Sequence, residues 1–231
     1  MKQAKTTDSR RQKAVEEKSR LFANAEMEDR LTMTPLEFHS KRILDFDGIT
    51  VQYGEKPLFE HLSFSVDAGE RIALCGPNGC GKSSLLKILA GEGIPYSGQV
   101  IVPKSLKISC LPQDASHLSG QMSDWVEQRK IDESRFKTFL HKLGFLPEQF
   151  GGDMEFFSAG QKKKALLAAS LCESAHLYLW DEPLNFIDVI SRIQIENLLL
   201  QCCPTLIFVE HDETFLGTVT TKRIEIPDFQ N

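Results

Sequence analysis

The stretch Cys75-Gly76-Pro77-Asn78-Gly79-Cys80-Gly81-Lys82-Ser83-Ser84 decides the fold of this chain. It follows a short apolar run, residues 72–74, and it opens a second apolar run with helical spacing, residues 85–89. A strand, a glycine-rich loop and a helix in this order are typical of a phosphate-binding loop. The glycines let backbone N–H groups point inward, and the helix N-terminus adds partial positive charge where phosphates bind. We therefore predict that Lys82 reaches the β- and γ-phosphates and that the Ser83 hydroxyl contacts Mg²⁺.

Length and composition limit the class of protein. The chain has 231 residues, of which 41% are hydrophobic and 26% charged, and this is ordinary for one large globular domain or one domain with appendages. No apolar run approaches the roughly 20 residues of a membrane helix, so we expect no membrane insertion. The polar N-terminus predicts no secretory signal. The six cysteines form no C-x-x-C pair, and this favours reduced thiols in a cytoplasmic protein.

The N-terminal part of the chain differs in charge from the rest. Residues 1–20 hold seven Lys/Arg and three Asp/Glu, a balance of +4, which leaves −9 for the remainder because the total is −5. Residues 1–34 contain neither Gly nor Pro, and apolar residues recur there at helical spacing. We predict one charged helix from about residue 10 to residue 31. Its basic start fits a nucleic-acid contact and a solvated helix face about equally.

Short strands are predicted on both sides of the loop. An Asp47-Gly48 turn and a Gly54-Glu55 turn separate the first three of them. A mainly helical stretch follows from about residue 123 to residue 173, and strands then alternate with helices to the end. This pattern predicts an α/β fold. The predicted strands are residues 43–46, 49–53, 62–66, 98–102 and 106–110.

Two apolar runs later in the chain end in polar residues. Residues 177–180 are apolar at nearly every position, which predicts a strand covered on both faces, and Asp181 and Glu182 follow directly. A second such strand, residues 205–209, precedes His211. Ligands bind outside the carboxyl ends of the strands in open α/β sheets. We therefore predict that Asp181 holds Mg²⁺, that Glu182 orients or deprotonates the attacking water, and that His211 contacts the γ-phosphate.

A third element is a helix with an exposed N-terminus. Ser158 reads as the N-cap of a helix that continues through three lysines and an apolar run, residues 162–169. The small residues Ala159 and Gly160 would leave the helix terminus open to an anion. A capped helix alone is common, and the spacing distinguishes this one. Ser158 lies 23 residues before Asp181, and Asp181 lies 30 before His211.

Taken together, these elements make the sequence resemble the ATP-binding cassette (ABC) family over almost all of residues 42–228. The loop fits the Walker A motif, residues 177–182 fit the Walker B motif with its catalytic glutamate, and residues 157–161 fit the ABC signature. Further matches are the Q-loop glutamine, the adenine-stacking aromatic, the switch histidine and the D-loop aspartate, at Gln113, Tyr53, His211 and Asp188. Phe157 and Ala159 depart from the pattern, since the family usually has Leu and Gly there. An extra methyl group near a bound phosphate could slow turnover.

The resemblance implies a fold and two ligands. The fold is an α/β P-loop NTPase with a mixed central sheet, a small antiparallel β subdomain and a short helical subdomain, about residues 115–173. The ligands are ATP and Mg²⁺. The residues expected to bind ATP are Tyr53, by stacking on adenine, and Gly76, Pro77, Asn78, Gly79, Cys80, Gly81, Lys82, Ser83 and Ser84.

The resemblance also divides the chemistry between two cassettes. Ser83, Gln113 and Asp181 would arrange Mg²⁺, while Glu182 and His211 would act on the attacking water and the γ-phosphate. In this family the signature helix of a second cassette closes the nucleotide site. One chain would therefore supply two half-sites and complete neither alone. The residues that would serve the ATP of the partner cassette are Ser158, Ala159, Gly160 and Gln161.

Within the family, Trp-Asp-Glu-Pro-Leu-Asn at residues 180–185 and the charged helix look like the F subfamily, whose members have no membrane domain and act on ribosomes. Residues 185–192 are similar to the branch that protects bacterial ribosomes, with their rRNA and tRNA, from antibiotics. Such proteins carry two cassettes, and only one set of motifs is present here. The match is to the second cassette, residues 42–231, preceded by the tail of the interdomain linker, residues 1–41.

Two other functions fit the same motifs. The chain could be the ATPase subunit of a membrane transporter, which should have a groove for a coupling helix and usually a longer helical insert than the one here, where Phe157 lies 44 positions after Gln113. It could also be a non-catalytic fragment that binds ATP without its partner half.

Overall fold

Eight strands and six α-helices make up the described part of the chain. The computed structural model describes residues 32–53 and 56–227. The strands are β1 Arg42–Tyr53, β2 Lys56–Asp67, β3 Arg71–Cys75, β4 Tyr96–Ile101, β5 Ile108–Leu111, β6 Leu177–Asp181, β7 Leu206–Val209 and β8 Lys222–Glu225. The helices are α1 Lys82–Ala90, α2 Met122–Gln128, α3 Glu133–Lys142, α4 Ala159–Cys172, α5 Val189–Cys202 and α6 Glu213–Val219.

Five parallel strands form the larger sheet, in the order β5-β6-β7-β3-β8. Every residue of β6 and β7 is buried, as the continuous apolar runs predict for strands covered on both faces. Helices follow β3, β6 and β7 in sequence, so the crossover connections leave the carboxyl ends of these three strands side by side. The α/β fold class is confirmed.

Three antiparallel strands form a separate sheet, in the order β2-β1-β4. The expected small antiparallel β subdomain is confirmed, and the expected central sheet is present, although its five described strands are all parallel and not mixed. The cause is the connectivity: β1 and β2 are adjacent in sequence and pair directly, whereas the parallel strands need long crossovers.

The predicted turn at Asp47-Gly48 is wrong. β1 continues through it to Tyr53, and the pairing registers shift there against both neighbouring strands. Gly48 has a φ of 61°, a conformation that glycine adopts without strain, and its N–H donates to the Ser63 hydroxyl at 2.8 Å. The Asp-Gly pair therefore makes a bulge inside one long strand.

A single hydrophobic core joins the two sheets through α1. Leu85, Leu86 and Leu89 on this helix pack in one cluster with Leu179 of β6 and with residues of the antiparallel sheet. Because the loop before α1 is the predicted phosphate site, this burial fixes the direction in which the loop opens.

The predicted helical region is also present and lies between β5 and β6 in sequence. It contains α2, α3 and α4, with two short 3₁₀ turns at Pro147–Gln149 and Met154–Phe156. Phe136, Phe139 and Leu140 bury one face of α3. None of the helices in the described residues is long and apolar enough to cross a lipid bilayer.

The segment before β1 is extended where it is described. Residues 32–38 have no helix or strand, and the Leu36 N–H donates to the Ala175 carbonyl oxygen at 2.8 Å. The charged helix predicted for residues 10–31 lies outside the described residues. The boundary at residue 42 stays a prediction.

Candidate active site

The glycine-rich loop joins β3 to α1 as the sequence predicts. Gly76, Gly79 and Gly81 have φ angles of 142°, 83° and 105°, which side-chain-bearing residues rarely adopt. Lys82 is buried, and its Nζ donates to the carbonyl oxygens of Gly76 at 2.7 Å and Pro77 at 2.9 Å. The ammonium group thus lies inside the curve of the loop, where a phosphate would bind.

The loop leaves no room for a side chain at two of its glycines. A Cβ at Gly76 would lie 2.6 Å from the Ile226 carbonyl oxygen and 2.8 Å from the Cys80 sulfur. A Cβ at Gly81 would lie 2.8 Å from the Phe59 ring. Close packing therefore demands glycine at both positions, in addition to the backbone conformation.

A cavity of about 440 Å³ opens over the loop. It brings predicted residues from four parts of the chain together: the loop, the segment after β5, the end of β6 and the segment after β7. This convergence confirms the expectation that the carboxyl ends of the parallel strands meet at one edge. The lining residues are Leu58, Asn78, Gly79, Gly81, Lys82, Ser83, Ser84, Gln113, Glu182, Val209 and His211.

Asp181 is the buried carboxylate of the site. Its side chain is 5% exposed, and its Oδ1 has no hydrogen-bond partner within the described structure. Burial raises the pKa of Asp181, and a hydrogen bond with Ser83 opposes this shift. A buried carboxylate oxygen without a partner beside a serine hydroxyl suits a divalent cation that takes oxygen ligands. Ser83, Gln113 and Asp181 also line one further cavity together, so the three predicted Mg²⁺ residues fit that ion.

Glu182 follows directly in a strained backbone conformation. Its φ is 50°, and its N–H donates to the Val209 carbonyl oxygen at 3.0 Å. Two amide groups hold its carboxylate: the Gln113 Nε2 donates to Oε2 at 3.1 Å, and the Asn185 Nδ2 donates to the same atom at 2.7 Å. His211 Nε2 lies 3.6 Å from Oε1. The predicted pair of Glu182 and His211 is therefore in contact.

The signature residues occupy a different place. Ser158 caps α4, and its hydroxyl accepts the Gln161 N–H at 3.2 Å while the Gln161 Oε1 accepts the Ser158 N–H at 2.8 Å. This reciprocal pair is a capping box, which the Ser-x-x-Gln spacing could have predicted. Ala159 and Gly160 lie in the first turn. Ser158, Gly160 and Gln161 line a cavity of about 180 Å³ that shares none of its lining residues with the loop cavity.

The D-loop aspartate has a local structural role. Asp188 caps α5 by accepting the Ser191 N–H at 3.0 Å and the Ser191 hydroxyl at 2.7 Å, and these bonds lower the pKa of Asp188. Arg192, which the sequence did not single out, donates to the Leu184 and Ile187 carbonyl oxygens and to Asp212. It thereby ties the D-loop to the segment that carries His211.

Lys163 is a second residue that sequence reasoning missed. It is only 2% exposed, and its Nζ donates to the carbonyl oxygens of Asp181 at 2.7 Å and Pro112 at 2.8 Å. Burial lowers the pKa of Lys163 to about 8, although the nearby carboxylates oppose this. The available signal was its spacing, since Leu167 and Ser170 follow at i+4 and i+7 and are buried on the same helix face.

One predicted contact falls outside the described part. Nothing is described of the Tyr53 side chain, so its stacking on adenine stays a prediction. The family implied by the other motifs can be compared with known proteins.

A protein-family model described as "ABC transporter" matches residues 59–185, which is more than half of the chain. The chain belongs to the ATP-binding cassette family. This confirms the family predicted from the motifs, whose members generally bind ATP with Mg²⁺.

Two curated relatives and one solved structure locate the cassette within the family. Ribosome protection protein VmlR of Bacillus subtilis (strain 168) is 30% identical over 227 residues, 97% of this chain and 41% of that protein. The probable ATP-binding protein YbiT of Escherichia coli O157:H7 is 31% identical over 194 residues, 80% of this chain and 36% of that protein. These relatives agree with the resemblance to the F subfamily. This chain spans about two fifths of the length of these relatives.

The solved structure is a complex of archaeal ribosomal stalk protein aP1 and archaeal ribosome recycling factor aABCE1. It is 25% identical to the cassette, with a TM-score of 0.68, and the match covers 84% of this chain and 40% of that chain. The P-loop NTPase fold of ABC ATPases is thereby confirmed.

Proposed function

We propose that this cassette binds and hydrolyses ATP with Mg²⁺, as one half of a two-cassette protein that acts on the ribosome. The observation that carries the ATPase proposal is the convergence of Lys82, Asp181, Glu182 and His211 at the carboxyl ends of three neighbouring parallel strands. Phosphoryl transfer to water requires groups that bind the phosphates, a carboxylate that holds the metal ion, and a base that orients the attacking water, here beside a histidine.

The loop and its lysine would hold the phosphates. The Lys82 ammonium now donates to two loop carbonyls, and a phosphate oxygen would replace them as a stronger, charged acceptor. Loop N–H groups and the start of α1 would add further donors. Mg²⁺ held by Ser83, Gln113 and Asp181 would neutralise charge on the phosphate oxygens.

Glu182 would orient the attacking water and accept its proton. The amides of Gln113 and Asn185 fix one carboxylate oxygen, which leaves Oε1 on the side of His211. General-base assistance of this kind typically accelerates a reaction about 10²- to 10⁴-fold. His211 would stabilise the γ-phosphate beside it.

A second cassette would complete each site. The signature cavity is separate from the loop cavity, so Ser158 and Gly160 are available to the ATP of a partner. Next to them lies an exposed apolar patch, and contiguous exposed apolar residues mark interaction surfaces. Phe186 packs against Gly160, which makes the patch continuous with the signature. The patch consists of Phe186, Val189, Ile190 and Ile193, which are 64%, 71%, 71% and 51% exposed.

The ribosome is the proposed target because of the relatives. The match to the ribosome protection protein of Bacillus subtilis runs through 97% of this chain, so it includes most of residues 1–41 as well as the cassette. We infer protection of the ribosome against antibiotics, with a cytoplasmic location. The match to YbiT, whose name states ATP binding and gives no target, makes another role for the same ATPase the nearest variant of this proposal.

Co-sedimentation with ribosomes tests the proposal. Glu182→Gln keeps the phosphate-binding loop but removes the base, so we expect ATP to stay bound and the protein to pellet with ribosomes when Mg²⁺ and ATP are present. Lys82→Ala is the control, because it should bind ATP poorly and remain in the supernatant. Equal pelleting of both variants, or of neither, would contradict the proposal.

One observation favours the ATPase subunit of a transporter. The cavity of about 430 Å³ that Ser83, Gln113 and Asp181 line extends along α1, where Leu86, Ala90 and Leu111 form an apolar wall against which a coupling helix could dock. A transporter subunit predicts no pelleting with ribosomes in the same experiment. ATPase assays with and without ribosomes separate a working cassette from a non-catalytic fragment, since only the former releases phosphate.

A further inference from the structure

Two consecutive lysines in the first turns of α4 hold the segment that carries Gln113. Lys163 Nζ donates to the Pro112 carbonyl oxygen at 2.8 Å, and Lys162 Nζ donates to the Leu118 carbonyl oxygen at 2.7 Å and to that of Ser116 at 3.2 Å. Both ends of the segment 112–118 are therefore bonded to the helix that begins with the signature. We call these contacts the lysine clamp.

The burial of Lys163 indicates more than packing. Leu166 and Leu167, one turn away on α4, are apolar and buried, and an apolar side chain of similar length at position 163 would avoid the cost of desolvating an ammonium group. Charge-assisted hydrogen bonds to two carbonyl oxygens offset that cost only if their geometry is maintained. Lys163 therefore binds the ends of β5 and β6, which pair with each other as far as Leu111 and Trp180, to α4.

Those two segments carry the candidate Mg²⁺ residues. Pro112 directly precedes Gln113, whose amide donates to Glu182. The other carbonyl belongs to Asp181, whose Oδ1 has no partner among the described residues. One ammonium group thus holds the backbone of both residues against the helix whose N-terminus would face the nucleotide of a partner cassette.

We propose that Lys163 is a positioning residue that couples the two half-sites of this cassette. It holds the backbone at Gln113 and Asp181 in a fixed position relative to α4. Movement of either residue toward Mg²⁺ and ATP therefore also shifts the signature helix. Lys162 adds to this coupling at the far end of segment 112–118. The inference rests on the proposed ATP site, and it goes further by naming the connection through which that site acts on the signature.

Hydrogen exchange on the nucleotide-free protein tests the clamp without any ligand. In Lys163→Met, which keeps an unbranched chain but no donor, we expect amide exchange to rise at residues 113 and 114 and to stay unchanged in β7 and α1. In Lys162→Met we expect the rise at residues 116–118. Lys137→Met is the matched control on α3, because among the described residues Lys137 pairs with Glu133 at 2.6 Å and not with segment 112–118, which should therefore stay as in the parent.

ATP affinity with and without Mg²⁺ tests what the clamp positions. Mg²⁺ should raise the ATP affinity of the parent, and in Lys163→Met this increase should be about tenfold smaller. Changes of residues that orient metal ligands typically have effects in this range. The affinity for ATP without Mg²⁺, which depends on the Lys82 loop, should remain. Lys163→Gln keeps an uncharged NH₂ donor group on a shorter side chain and should recover part of both effects.

Three results would overturn the proposal. They are unchanged amide exchange at residues 113–118 in the lysine variants, an unchanged increase of ATP affinity by Mg²⁺, and faster exchange throughout α4 and β6, which means general loosening. If Lys163→Met does not fold, Lys163→Gln and the less buried Lys162→Met decide the same points. A parent protein without Mg²⁺-dependent ATP binding would refute the proposed function, and the exchange data would still decide the clamp.

Discussion

Glu182 combines an unfavourable backbone with a well-supported side chain. A φ of 50° is uncommon for a residue with a side chain, and such conformations persist where surrounding contacts enforce them. Here the bond from its N–H to Val209 and the amides of Gln113 and Asn185 do so. The carboxylate is thereby aimed at His211 before any ligand arrives, which lowers the cost of organising the site during the reaction.

Asp181 gives the sharpest prediction for a single residue. Asp181→Asn preserves the shape of a buried side chain but removes the charge that would hold Mg²⁺. We expect ATP affinity in the presence of Mg²⁺ to fall at least about tenfold, toward the value without the ion, since a metal ligand should matter no less than a residue that orients one. Nucleotide titrations with Mg²⁺ and with a chelator measure this.

Asp124→Asn is the control for that change, because Asp124 lies on α2, away from the loop cavity, and accepts a hydrogen bond from the Ser123 hydroxyl. Its titrations should match the parent under both conditions. An Asp181→Asn protein that keeps the full effect of Mg²⁺ would remove Asp181 from the metal site.

At the scale of elements, the phosphate-binding loop needs glycine for two different reasons: a positive φ angle, and a lack of space for a side chain. Gly76 and Gly79 both have positive φ angles, but only Gly76 lacks room for a methyl group. Gly76→Ala should distort the loop, because its Cβ would lie 2.6 Å from a backbone oxygen of Ile226. Gly79→Ala adds only conformational strain of about 1–2 kcal/mol.

We therefore expect a larger loss of ATP affinity and of unfolding free energy for Gly76→Ala than for Gly79→Ala. Nucleotide titration and denaturant unfolding of the two variants measure this order. Equal effects would mean that the close approach of the loop to Ile226 does not shape the site.

The capping residue of α6 predicts a dependence of stability on pH. The pKa of Asp212 is lowered, chiefly because its carboxylate accepts the Phe215 N–H, and also through bonds with Thr214 and Arg192. A lowered folded-state pKa means that this contribution is present above the unfolded value of about 3.9 and is lost as the pH falls through the folded value.

Asp212→Ala should therefore cost about 1 kcal/mol of unfolding free energy at pH 7, a typical value for a lost N-cap. The difference from the parent should shrink as the pH is lowered from about 5 toward the folded-state pKa. Denaturant unfolding across this range measures it. A difference that stays constant with pH would contradict the assignment of the carboxylate as the stabilising group.

The sequence predicted elements best where backbone chemistry leaves few choices. The glycine pattern before Lys82, the buried runs before Asp181 and His211, and Ser158 as a helix cap were all recovered. It failed at Asp47-Gly48, because the same dipeptide suits a turn and a bulge, and only the pairing of β1 with two strands decides between them. Lys163 and Arg192 were missed because a charged residue on a helix usually indicates a solvated face, and burial depends on the surrounding fold.

At the scale of the whole molecule, the parallel sheet explains why residues distant in sequence form one site. The order β6-β7-β3 places three carboxyl ends next to each other, so the residues after each strand share one cavity. The signature at the start of α4 lies in another cavity, and the lysine clamp connects the two. This arrangement could not be predicted from spacing alone, because it depends on which strands are neighbours.

The central claim is that a nucleoside triphosphate lies on the loop beside Lys82, and one titration tests it most directly. ATP binding with Mg²⁺ should be measured for the parent and for Lys82→Ala, with circular dichroism to verify that both are folded. We predict that the variant loses at least about tenfold in affinity, the equivalent of 1.4 kcal/mol, because a charge-assisted bond to phosphate is removed. A folded Lys82→Ala protein that binds ATP as tightly as the parent would contradict the account.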